Sequence, residues 1–226
     1  MSKILVLIDG FNFYHRLDDY QYKNKVCVKW LNYKKLLQAY FDDVKNNSFE
    51  FIYFSAYAEH RGKNSVERHK IYVKALETQD IKVVLGKFKK KTINRCKRSE
   101  RCSGCNSKQD RTHLTKHEEK NTDVNIAITI VEKALEKGYD TCYILSSDSD
   151  FDTAIARAKE VYPTGRIVLV PPPQPNNSNR KKPYYIQAVQ KLTKSKPLFI
   201  SWEKIKNSQF PDEFKGLHNP WAETGF

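Results

Sequence analysis

With 226 residues, 39% of them hydrophobic, and 40 Lys+Arg against 26 Asp+Glu, the chain carries a formal charge of +14 and a pI near 9.4. That apolar fraction builds the core of one large domain, or of a medium domain with appendages, and excludes a wholly disordered chain. No run approaches the ~18 apolar residues of a membrane-spanning helix, the short apolar stretch 4–8 does not read as a signal peptide, and so positive a field selects a polyanion, with nucleic acid ahead of an anionic membrane.

Residues 4–8 (ILVLI) form an unbroken apolar run ending in Asp9-Gly10-Phe11-Asn12, as a central parallel strand does when helices cover both its faces. Asp9 follows this strand directly and Asn12 lies in the turn. Helical spacing over 31–44 precedes a strand over 51–57, and helical spacing over 65–78 precedes a strand over 81–85. The segment 87–119 departs from this alternation: it is heavily charged, carries three cysteines, and reads as an insertion held together by something other than a core. A helix over 123–137 follows, then a strand over 141–145 that runs into Ser146-Ser147-Asp148-Ser149-Asp150, a helix over 152–161 and a strand over 166–170. The stretch 171–183 (PPPQPNNSNRKKP) has the prolines and turn formers of a loop. Beyond it, 184–192 has helical spacing, 198–201 reads as a short strand, and the tail from Ser208, with Pro211, Gly216, Pro220 and Gly225, reads as irregular. No internal repeat is present. Strands alternating with helices imply an α/β layered fold around a parallel sheet, whose ligand site lies beyond the carboxyl ends of the strands.

Asp9, Asp148 and Asp150 then meet in one pocket if their strands are neighbours, and the helix opening at Asp123 closes it. Like charges so placed need a cation, and all-oxygen donors suit the hard ions Mg²⁺ or Mn²⁺. A carboxylate cluster on a basic protein is what metal-assisted phosphodiester hydrolysis requires. An Asp after a strand also serves as a cap, and Asp152, one step into a helix, is assigned only to its dipole. An aspartyl phosphotransferase in its common form wants a second Asp two residues after the first, where Phe11 stands.

Cys96, Cys102 and Cys105, with His117 or His113 downstream, have the spacing of a structural zinc site, and His117 is the favoured fourth ligand because it would tether the insertion to the acidic block. Cys27 and Cys142 sit among apolar residues and read as small buried side chains. Basic runs interleaved with aromatics, Lys87 to Lys91 around Phe88, Arg95 to Arg101, and Arg180-Lys181-Lys182-Pro183-Tyr184-Tyr185, suit single-stranded RNA, with Tyr stacking on bases and Lys and Arg tracking phosphates. The substrate-contacting set is therefore Ser147, Lys120, Arg180, Lys181, Lys182 and Tyr184. A soluble cytoplasmic protein with no membrane partner is expected, and homo-oligomerisation is left open.

The blocks ILVLIDGFNFY (4–14), EEKNTDVNIA (118–127) and ILSSDSDF (144–151) resemble the three signature blocks of bacterial NYN-domain proteins of the PIN-like nuclease superfamily, and SQFPDE (208–213) resembles the end of their LabA-like type. The resemblance spans nearly the whole chain. It implies a three-layer Rossmann-like PIN-type fold with a central, mainly parallel sheet over 1–200, the insertion at 87–119, and an irregular tail, 201–226, packed on the domain. It also implies a Mg²⁺- or Mn²⁺-dependent endoribonuclease acting on single-stranded or structured RNA. Carried over residue by residue, it points to Asp9, Asn12, Asp123, Asp148 and Asp150, with Glu119 as a further member. Asp9 and Asp148 would bind the metal, Asp123 and Asp150 complete the shell or orient water, and Asn12 hydrogen-bond beside the scissile phosphate. Ser147 departs from the pattern, where Gly or Ala is common. The alternative function is a non-catalytic RNA-binding or adaptor protein that keeps the fold.

Overall fold

The structure, a computed structural model, describes residues 1–40, 47–96, 111–173 and 184–222. Strand β1 (Ser2–Asp9) leads through helices α1 (Gly10–Asn24) and α2 (Tyr33–Gln38) to β2 (Asn47–Ser55), and α3 (Lys63–Glu77) leads to β3 (Ile81–Leu85). A hairpin of β4 (Lys87–Cys96) and β5 (Arg111–Lys120) intervenes before α4 (Thr122–Leu135), β6 (Thr141–Leu145), α5 (Asp152–Val161), β7 (Arg166–Leu169) and α6 (Tyr184–Thr193). The chain then forms α7 (Trp202–Asn207) and the short strands β8 (Glu213–Phe214) and β9 (Leu217–His218).

Five parallel strands form the central sheet in the order β3-β2-β1-β6-β7. The unbroken apolar run of β1 splits by the two-residue period of a strand. Ile4, Val6 and Ile8 enter one core with Phe13 and Leu17 of α1, Leu36 of α2 and Leu76 of α3. Leu5 and Leu7 enter the other with Ile126 and Ile130 of α4 and Ile155 of α5. Helices thus cover both faces, giving the three α/β layers expected. The chain winds outward from β1 to β3, then returns across the sheet to β6, so the direction reverses between β1 and β6. That reversal opens a crevice at the carboxyl ends of these two strands.

Helix α1 has no counterpart in the sequence reading, which places only a turn after Asp9. Its buried positions are Gly10, Phe13, Leu17 and Gln21, a stripe so narrow that the intervening Tyr, His and Asp residues hide its period. The described part of the helix expected over 31–44 is the six-residue α2. Residues 198–201 form no strand; a single bond from Leu198 N to Leu169 O (2.8 Å) continues the edge of β7. The tail is more ordered than its Pro and Gly content indicates. Trp30, fully buried, packs against Phe210 (5.2 Å between centroids) and Trp221 (6.4 Å), its Nε1 donates to Pro211 O at 2.7 Å, and Phe210 N donates back to Trp30 O at 2.9 Å. Trp202, Ile205 and Trp221 complete the same core. Among the described residues no helix is long and apolar enough to cross a membrane.

Candidate functional site

Asp9 ends β1 and caps α1: its Oδ1 accepts from Asn12 N at 3.0 Å, and its Oδ2 accepts from Ser146 Oγ at 2.8 Å. The serine in turn accepts from Asp148 N at 3.0 Å, and Asp150 N donates to Asp148 Oδ1 at 3.0 Å. Asn12 closes the lattice from α1, its Oδ1 accepting from Ser147 N (3.0 Å) and Ser147 Oγ (3.1 Å). Two neighbouring strand ends are therefore interlocked through side chains more than 130 positions apart in sequence. Gly10 makes this possible, since a Cβ there would stand 2.5 Å from the Tyr53 ring and 2.6 Å from Phe54 O.

Burial raises the Asp9 carboxyl to about 6, against the lowering effect of its two hydrogen bonds, and the charges of Asp123 and Asp148 push the same way. Asp123, in the first turn of α4, is raised by partial burial and then by Glu119, Asp148 and Asp150. Glu119 Oε1 meanwhile accepts from Thr122 N at 3.1 Å, fixing the start of α4. Asp9, Asn12, Glu119, Asp123 and Asp148 all line one cavity of about 610 Å³; Asp150 stands at its edge, outside the lining.

The donor chemistry fits a hard divalent ion: clustered carboxylates, mutually repelled and half dehydrated. Among the described residues, however, no three His, Cys, Asp or Glu side chains are close enough together to hold one ion between them. Mg²⁺ binds proteins through one or two carboxylates and keeps waters and substrate oxygens in its other positions.

The hairpin forms one side of the cavity. Phe88 of β4 meets Phe11 edge-on (5.6 Å) and His60 (4.8 Å), and His60 stacks on His117 of β5 (4.3 Å, 1° between planes). Lys120 and Lys116 reach the lining, and Glu118 is paired with Lys91, Lys116 and Lys120. The strand register corrects the zinc expectation in one respect. His117 pairs with Lys90 and Cys96 with Arg111, six positions apart, or about 20 Å along an extended strand. One tetrahedral ion does not span that distance, so His117 belongs to the acidic cavity and not with Cys96. His113 pairs with Asn94, two positions from Cys96. Cys102 and Cys105 lie outside the described residues.

Arg180, Lys181 and Lys182 also lie outside them, and Tyr184 opens α6. Cys142 is buried and Cys27 half-buried, both as free thiols. Both donors of Ser147 point at Asn12, so this serine positions the amide. Sequence reasoning passed over the opposite wall of the cavity, made by Tyr14, Ser55, Arg61, Arg68, His69 and Trp221. Its signal is visible afterwards in α3, where Ser65, Arg68, His69 and Tyr72 follow i, i+3, i+4, i+7 spacing as a polar stripe.

The family model described as NYN domain matches residues 3–188. A crystal structure of a protein of unknown function from Vibrio parahaemolyticus is similar over 89% of this chain and 94% of that one, with a TM-score of 0.51 and 15% identity. That likeness supports the fold alone. No curated protein gives a significant match.

Proposed function

We propose, from the premise that the chain belongs to the NYN domain family of the PIN-like nuclease superfamily, that it hydrolyses RNA phosphodiester bonds with a divalent ion, Mg²⁺ or Mn²⁺, at the acidic end of its cavity. Membership of the family brings a nuclease-like, RNA-related function. The metal, the endonucleolytic cut, the LabA-like subgroup and a cytoplasmic setting are parts of the proposal. One observation carries it: the carboxylates of Asp9, Asp123 and Asp148 line a single cavity at the point where the sheet reverses direction, in a chain whose net charge is +14.

An ion bound there would generate hydroxide from water at neutral pH and steady the departing oxygen. The chain does the rest. Asp9 is held by two donors so that its carboxylate keeps one orientation, and Asp148 is held beside it through Ser146; these two would be the direct ligands. Asp123, at the start of α4, and Asp150, whose backbone N–H donates to Asp148, would orient water around the ion. Asn12, with its Oδ1 taken by Ser147, offers its amide hydrogens to a phosphate oxygen. The lysines of the hairpin hold the polyanion against the cavity, as charge-dense surfaces do.

Labelled RNA incubated with the purified protein, with Mg²⁺ or Mn²⁺ and with EDTA, tests this reading beside the Asp148→Asn variant. Cleavage that needs the ion and disappears in the variant is expected. Retention of RNA without cleavage under any divalent condition would favour the non-catalytic binding protein instead. The thiol cluster is a separate part of the proposal: Cys96, Cys102 and Cys105 hold zinc without His117. Elemental analysis should find zinc unchanged in His117→Ala and lost in Cys102→Ser/Cys105→Ser.

A further inference from the structure

The cavity is larger than its acidic end requires. One hydrated ion and a phosphate occupy a small part of about 610 Å³, a size in the range of sites that enclose whole small molecules. The rest of its lining comes from the end of β2, from Tyr14 of α1, from residues 58–61 and from α3, and its chemistry differs. Ser55, buried at the end of β2, places its Oγ 3.2 Å from His69 Nε2. Tyr57 meets the His69 ring edge-on at 5.1 Å, and burial lowers His69 to about 4, so the ring is neutral at physiological pH. Arg61 and Arg68 reach the same space and act on the Tyr14 hydroxyl, whose ionisation is opposed by burial and by the Asp18 carboxylate and favoured by both guanidinium groups. Neither arginine forms a salt bridge with a carboxylate among the described residues.

Two guanidinium groups without a salt-bridged carboxylate among the described residues, beside a neutral histidine, a serine and a tyrosine, are the equipment for a phosphate joined to an uncharged hydrogen-bonding ring. The planar guanidinium fork matches phosphate geometry, and uncharged polar groups read a nucleobase edge. From this juxtaposition we propose that the part of the cavity lined by these residues is a nucleotide subsite, taking one unpaired RNA nucleotide next to the bond cut at the acidic end, with Arg61 and Arg68 on its phosphate and Tyr14, Ser55 and His69 facing its base. The proposal deepens the nuclease reading and rests on it for the order of the two halves. It makes the preferred substrate single-stranded at that nucleotide, because a paired base has no free edge to enter the subsite.

The test uses the full-length protein in EDTA, so that the acidic end contributes nothing. Trp221 lines the cavity, and its fluorescence reports occupancy while calorimetry gives affinity. The probes are the four ribonucleoside 5′-monophosphates, the matching nucleosides, ribose 5-phosphate and inorganic phosphate. At least one monophosphate should bind more tightly than ribose 5-phosphate and than its own nucleoside. Arg68→Ala should weaken it about tenfold, the size of a lost charge-assisted hydrogen bond, and reduce its advantage over the nucleoside. His69→Phe, with circular dichroism confirming its fold, should erase the differences among the four bases while leaving phosphate affinity in place. Equal binding of all probes, or variants indistinguishable from the native protein, overturns the subsite. The failure of the nuclease reading looks different, as base-selective binding in EDTA with no RNA cleavage in Mg²⁺ or Mn²⁺.

Discussion

The carboxyl edge of the five-stranded sheet and the β4–β5 hairpin carry opposite charge and are built in opposite ways. At the edge, strands with a core on each face hold Asp9, Asn12, Ser146 and Asp148 in one hydrogen-bonded lattice. The hairpin is a separate two-stranded sheet; its side chains among the described residues include no buried hydrophobic, and Lys91, Lys116 and Lys120 all pair with Glu118. Preorganisation is placed where reacting atoms must be fixed. Looser charge density is placed where only the polyanion must be held. Substitutions at the edge should therefore act steeply and those on the hairpin gently.

The largest expected difference is in turnover. Asp9→Asn or Asp148→Asn should lower single-turnover RNA cleavage by about a thousandfold or more, on the order of 4 kcal/mol of lost barrier reduction, while Lys89→Ala/Lys91→Ala at saturating RNA should change it by less than about threefold. Comparable losses in both variants would break the contrast.

Next comes the stability of the metal-free protein. Asp9 has a folded value of about 6, above its unfolded one, so the native state binds the extra proton and is favoured at low pH. Its contribution to stability declines as pH rises through about 4 to 6, by up to roughly 3 kcal/mol. Asp9→Asn lacks that decline. In EDTA it should match the native protein near pH 4 and exceed it by roughly 1–3 kcal/mol above pH 7, read from urea unfolding. Saturating Mg²⁺ should then stabilise the native protein and not the variant. An unchanged difference across this pH range would refute the strained carboxylate.

Gly10→Ala should cost about 2 kcal/mol, because its Cβ would meet a buried ring and a backbone carbonyl that cannot both retreat. Thr92→Ala, exposed on the hairpin, should stay within about 0.5 kcal/mol. Thermal unfolding of the two variants compares edge with arm directly. The smallest effect belongs to Lys89→Ala/Lys91→Ala, which should weaken RNA affinity several-fold at low salt and flatten the salt dependence by up to about two in slope.

The five strands of the central sheet were legible in the sequence, whereas β4 and β5 lie in the segment read as an insertion and β8 and β9 in the tail read as irregular. β1, β2, β3, β6 and β7 are dense in β-branched and aromatic residues, and with Asp9 ending β1 and Asp148 three residues beyond β6, finding the strands finds these carboxylates. Helix α1 was hidden by its narrow buried stripe, and the ordered tail by Pro and Gly residues whose neighbours Trp202, Phe210 and Trp221 complete a core begun far away. The His117 assignment failed because ligand spacing was counted along the chain, whereas an antiparallel hairpin measures it in register. Arg68 and His69 escaped notice because tertiary packing decides which side of α3 faces the cavity, and Arg61 because it stands outside that helix.

Mn²⁺ binding, followed by the loss of the free-ion signal in electron paramagnetic resonance, tests the central claim most directly, in native protein, Asp9→Asn and Asp148→Asn, each beside its cleavage rate. One or two ions should bind the native protein, and each variant should lose at least one together with activity. Cleavage by native protein that binds no Mn²⁺ or Mg²⁺, or full Mn²⁺ binding in both inactive variants, would contradict the claim.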